Sequence, residues 1–243
     1  MLQRMILAEW MKLRHSRMLL VLLVLPTISI LIGCTNFYFN QGILQQEWYS
    51  LWTQVSLFYG EFFLPVLIAI CCAYVCRLEH MNRNWNVLMT APISVSSIFI
   101  AKLTIVSMLI IFVQTFFFIL YYCAGNLFGF SLLFPVETFG WIFRGWVASI
   151  TISAIQLFLS LRIRSFAAPI GLSLCGVFIG LGMYVAKIGM FFPYSLLTIG
   201  MGVLSQESLT ATENILFIFM NAFFIILFST VSIGKLKKAD VRT

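Results

Sequence analysis

The chain has 243 residues, of which 61% are hydrophobic and only 9% charged, whereas soluble domains carry roughly 25% charged residues. So little charge cannot clothe so much apolar mass in water, and a bilayer as solvent removes the conflict. A formal charge of +7 would raise nucleic acid as a partner in a soluble protein, but the basic residues here border apolar runs, which points to anionic headgroups and membrane orientation instead.

The first seventeen residues, MLQRMILAEWMKLRHSR, have helix-forming composition. Leu2, Ile6, Trp10 and Leu13 fall on one stripe, with Leu7 and Met11 off it and Glu9 at its border. Two readings fit: a helix lying in the inner interface with Trp10 at headgroup level, and a basic anchor that orients the first span. No small-residue cleavage site follows, so the stretch is not read as a cleavable signal.

Segments of about 20 apolar residues are long enough to cross a bilayer. Six are predicted, near 18–39, 57–76, 99–123, 139–161, 166–186 and 214–234. The segment 188–204 is also apolar, but Pro193 and several glycines interrupt it. It reads as a re-entrant or broken helix on the outer side, not a seventh span. The expected fold is an all-α membrane protein, one transmembrane domain over residues 1–243.

Charge gives the spans a direction. With the N-terminus inside, all of the 15 Lys and Arg except Arg144 and Lys187 fall on the cytoplasmic side, as the positive-inside rule requires. Glu47, Glu61, Glu137, Glu207 and Glu213 fall on or near the outer side. Both termini are then cytoplasmic, which demands an even number of spans.

Between the second and third spans lies RLEHMNRNWNVLMTAPISVSSIFIAK, residues 77–102. Met81, Trp85, Leu88 and Met89 repeat at helical spacing, with Asn82, Arg83, Asn84 and Asn86 on the other faces. Pro92 ends this amphipathic helix, and Ser94 or Ser96 caps the next. Its apolar stripe docks on its own bundle, on lipid or on a partner protein.

Polar residues inside spans are costly. Glu61, Gln114, Glu137, Arg144 and Asn221 lie within or at the ends of the predicted spans. They either face a polar path through the membrane or bond across helices and snorkel to the headgroups. In the fifth span Gly176 and Gly180 allow close helix packing. There is no P-loop motif, no H-E-x-x-H, and the two histidines, His15 and His80, stand alone. No catalytic group and no metal site is therefore expected. The six cysteines lie in or beside apolar runs and read as core residues.

Two segments together carry a resemblance. Glu9-Trp10-Met11-Lys12-Leu13-Arg14 is similar to the E-x-x-K-L opening of type-2 ABC permeases. Glu79, Asn84-Trp85, Pro92-Ile93-Ser94 and Ala101-Lys102 are similar to their coupling segment. The chain resembles these membrane subunits throughout its length, and most of all the small permeases of lantibiotic immunity and peptide-antibiotic resistance transporters. The Gly-Thr pair common in the wider family's loop is replaced by Asn84-Trp85, which favours that subgroup.

The resemblance implies a bacterial cell-membrane permease that binds no cofactor itself. Its partners would be a cytoplasmic ABC ATPase dimer carrying ATP and Mg, and a second permease chain, related or identical. The cargo would be a cationic antimicrobial peptide taken from the membrane, as in bacteriocin immunity. The ATPase-coupling residues would be Glu9, Trp10, Lys12 and Arg14 on an interfacial helix. On a cytoplasmic coupling helix they would be Glu79, Arg83, Asn84, Trp85, Leu88 and Met89. A type-2 permease for another cargo (an ion, a lipid-linked molecule or a small drug) and a non-transporting scaffold or sensor partner are the alternatives.

Overall fold

A computed structural model describes residues 2–14, 16, 18–80, 94–131, 133–205 and 209–240, with side chains throughout except at 14, 78, 80 and 238–240. The described residues are almost entirely helical and include no strand. A short helix α1 (Leu2–Arg14) precedes α2 (Met18–Phe39). Helix α3 (Glu47–Ser56) runs through a π-helical stretch, Leu57–Phe63, into α4 (Leu64–His80). Then come α5 (Val95–Leu127), α6 (Glu137–Arg162) and α7 (Ala167–Val185). A 3₁₀ turn, Gly189–Phe191, leads to α8 (Pro193–Gly200), and α9 (Ala211–Asp240) closes the fold.

Six segments are long and apolar enough to cross a membrane. Helices satisfy their own backbone hydrogen bonds, the condition hydrocarbon imposes. The six-span all-α architecture read from the apolar runs is the one observed. One end of the bundle gathers α1, the end of α4, the start of α5 and the ends of α6 and α9. There Arg77 lies over the Phe166 ring at 5.6 Å, and Arg162 and Lys235 line one groove. We call this the basic end. Ser94 caps α5, accepting from the Ser97 N–H at 3.2 Å.

The second crossing starts at Glu47, ten residues before its predicted start at 57. Glu47, Gln54 and the interleaved Ser50 and Thr53 dilute the apolar signal. The helix is nonetheless fixed by one aromatic face: Trp48, Leu51, Trp52 and Val55 are buried at i, i+3, i+4 and i+7. Trp52 stacks on Trp141 at 5.2 Å, and Tyr121 Oη donates to the Trp48 carbonyl at 2.8 Å. This helix is an inner wall of the bundle rather than a lipid-facing span. Its π-helical turn, where the Leu64 N–H reaches the Tyr59 carbonyl, sits directly before Pro65. Proline lacks an N–H and its ring crowds the carbonyl four residues back, here Glu61; a widened turn relieves that clash.

The segment after α7 turns back into the bundle. Phe192 is extended, and Pro193 opens α8 at its first turn. Eight residues rise about 12 Å, far short of the hydrocarbon thickness. Tyr194 through Thr198 are all buried, so α8 is enclosed on every side. Gly176 and Gly180 of α7 make room for it: a Cβ on Gly176 would stand 2.6 Å from the Tyr194 ring. Gly202 then turns the chain at φ +58, with Trp141 Nε1 2.8 Å from where its Cβ would be.

Candidate functional site: a buried charge cluster at the basic end

Helix α1 lies on α5 and presents Met5, Glu9 and Leu13 inward at i, i+4 and i+8. Met5 packs with Ile98 and Ala101 of α5. Glu9 sits between them at 1% exposure because its partner is Lys102, two turns into α5 and wholly buried. Lys102 Nζ donates to Glu9 Oε1 at 3.1 Å, to Glu79 Oε1 at 3.2 Å and to the Val75 carbonyl at 3.2 Å. These three acceptors use all three ammonium donors. Lys12, at the edge, donates to Glu79 Oε1 at 2.5 Å and Glu9 Oε1 at 3.0 Å.

Two cations and two carboxylates make the cluster electroneutral. A lone buried charge costs several kcal/mol, so each member is held in place by the other three. For Lys12, burial works against the charged form, but the Glu79 and Glu9 carboxylates outweigh it and raise its pKa. For Glu79, burial is overcome by Lys102 and Lys12, which hold its carboxyl below the usual range. The two partners shift in the senses expected of one ion pair.

Of the expected coupling residues, Glu9, Lys12 and Glu79 thus come together. Trp10 does not join them: with Leu7 and Met11 it forms the outward face of α1, 42% exposed. The buried stripe is therefore Met5, Glu9 and Leu13, not the one through Leu2, Ile6 and Trp10, and Lys102 supplies the partner that an inward glutamate needs. Arg14 ends α1, but its side chain, and Arg83, Asn84, Trp85, Leu88 and Met89 with the rest of the amphipathic loop helix, lie outside the described residues.

The intramembrane polar residues are spread over the bundle. Thr198 Oγ1 donates to Glu61 Oε2 at 2.6 Å, and Arg144 Nε donates to the Gly200 carbonyl at 3.4 Å. Both thereby pin the α8 segment, as does Trp52 Nε1, which donates to the Met201 carbonyl at 3.0 Å. Gln156 Nε2 donates to Tyr194 Oη at 2.7 Å. Asn221 of α9 instead accepts from Thr151 of α6 at 2.6 Å. Glu137, at the far end from the cluster, accepts from Tyr49 Oη at 2.9 Å. Gln114 is buried in α5 with neither amide atom hydrogen-bonded, and Nε2 lies 3.2 Å from where a Gly145 Cβ would be. Among the described residues no three His, Cys, Asp or Glu side chains are placed to hold a metal ion.

Residues 5–180 match the sequence model of the ABC-2 family transporter protein. The chain belongs to the ABC-2 transporter family. No curated protein matches it. The matched stretch contains all four members of the charge cluster and runs from α1 into α7. The chain is thus a multi-pass membrane permease subunit of a transporter, and its family implies association with an ABC ATPase. Lys102 is the residue of this permease that sequence reasoning left out of the site. Its signal was a charge inside an apolar run, IFIAKLTIV, with partners in two other helices.

Proposed function

We propose that this permease is the membrane subunit of an ATP-driven exporter that expels a cationic antimicrobial peptide, of the lantibiotic kind, from a bacterial cell membrane. The basic end faces the cytoplasm, in keeping with the charge distribution. There the outward face of α1 and the segment that follows Glu79 dock a cytoplasmic ABC ATPase dimer, which binds ATP and Mg. A second permease chain, most simply a related subunit, completes the pore. Glu61, Gln114, Glu137, Arg144 and Asn221 are the candidates for contact with cargo.

The observation that carries the coupling reading is the charge cluster, which joins α1 to both helices that bracket the 81–93 segment. The antibiotic-immunity cargo rests on the subgroup resemblance of Asn84-Trp85 and on the outward acidic bias. Expression with its ATPase should lower sensitivity to lantibiotics; unchanged inhibitory concentrations across a panel of such peptides would remove the cargo and leave the permease. A smaller cargo within the same permease is the second reading. It is favoured by Glu61, Arg144 and Asn221 being bonded within the bundle.

A further inference from the structure

We propose that Glu9, Lys12, Glu79 and Lys102 form a transmission lock: positioning residues that make α1, α4 and α5 move as one block, rather than side chains that touch the ATPase. The proposal rests on the coupled-permease reading above. Glu9, Glu79 and Lys102 are at most 3% exposed, and among the described residues their bonds run between this chain's own helices, so they are turned away from an outside subunit as the bundle stands. What they can do is fix three helices to one another.

The placement of the lock gives it leverage. Glu79 lies just before the 81–93 segment and Lys102 shortly after it, so both ends of that segment are tied through one ammonium group. The same group holds Glu9, 93 positions away in sequence. The contact of Met5 with Ile98 and Ala101 seals α1 on α5 beside the charges. A displacement applied to the segment or to the outward face of α1 therefore cannot be absorbed by one helix alone. Breaking the lock midway would leave charges unpaired out of water, so intermediate arrangements are disfavoured and the block shifts as a unit. A buried ion cluster adds little stability over apolar packing, but it fixes which helices are joined.

Hydrogen–deuterium exchange tests this without knowledge of the cargo. The permease and its ATPase are copurified in nanodiscs and compared with ADP and with ATP plus vanadate. In the unmodified complex, nucleotide should alter exchange both around residues 94–102 and at the far end, around 128–136 and 186–205. With Lys102→Met, the ATPase should still copurify and hydrolyse ATP within about twofold of normal, while the far-end difference falls at least about fivefold. The triple variant Glu9→Gln, Glu79→Gln, Lys102→Met leaves no buried carboxylate unpaired and should behave alike even where Lys102→Met folds poorly. A far-end response equal to the unmodified one in the triple variant overturns the lock. Loss of the ATPase from a folded triple variant overturns it in favour of a docking surface. Failure of the unmodified permease to hold any ATPase is a separate outcome, and it overturns the coupled-permease reading itself.

Discussion

Two short helices flank the bundle, and each is fastened differently. At the basic end α1 is held along one stripe, by ion pairs to α4 and α5 and a small apolar seal, and keeps an outward apolar face of Leu7, Trp10 and Met11. At the other, α8 is buried on all sides and held by hydrogen bonds to the 47–80 helix, α6 and α7. Ion pairs fasten the element that has a free face; single hydrogen bonds, including those to Glu61 and from Arg144, and aromatic packing fasten the one that has none. A one-sided, charge-held helix is suited to transmit force, since its contacts are few and all-or-none. An enclosed helix behaves as core.

The largest expected effect breaks the charged side. Lys102→Met leaves two buried carboxylates with only Lys12, and loss of one member of a buried ion cluster costs about 3–5 kcal/mol. Thermal unfolding in detergent should show the loss, with most of it recovered when Glu9→Gln and Glu79→Gln are added. No recovery would mean that Lys102 acts through its packing alone.

Gly176→Leu breaks the enclosed side. The new side chain meets the Tyr194 ring with no flexible end to yield, and overpacking of this kind costs about 1–3 kcal/mol. Limited proteolysis should find new cleavage within 186–205 while α1 stays protected. Simultaneous loosening of α1 would mean that the two fastenings are one unit. A smaller effect sharpens the contrast: Thr151→Val removes the bond to Asn221, away from both short helices. Interhelical bonds of this type are worth about 1 kcal/mol or less in a membrane. The expected readout is a modest drop in unfolding midpoint with neither fastening exposed.

The spans themselves were plain in the sequence, because twenty apolar residues have no other solvent than lipid. The break in 188–204 was also readable, from Pro193. The early start at Glu47 was not: its helix is half polar and owes its place to Trp48 and Trp52 packing against Tyr121 and Trp141, contacts that local periodicity does not contain. The stripe by which α1 packs on the bundle was not legible for the same reason. Glu9 borders the apolar stripe in the sequence, and its inward place depends on Lys102, which no window of sequence includes with it. Glu79 and Lys102 were visible as motif residues, but not as partners.

Acid should separate the two fastenings with the smallest perturbation. Glu79 is held below the usual carboxylate range, so its pairing stabilises the fold above that range, and the contribution is lost as pH falls through the lowered value. Lys12 is raised, so its contribution is complete below the ordinary lysine value and is lost only as pH rises through the higher one. Among the described residues the charged groups facing Glu79 are Lys12 and Glu9 from α1 and Lys102 from α5. Once Glu79 is protonated its pairing with Lys12 and Lys102 is lost, and α1 should release first. The bonds from Trp52, Arg144 and Gln156 to the α8 segment, and from Ser195 within it to the Gly180 carbonyl, involve no carboxylate; Glu61 does, but a protonated carboxyl keeps an oxygen that accepts from Thr198 Oγ1. Exchange of α1 amides should therefore rise on acidification before that of 193–202, and Glu79→Gln should flatten the pH dependence at α1. Equal acid sensitivity at both sites would show that the two fastenings do not act separately.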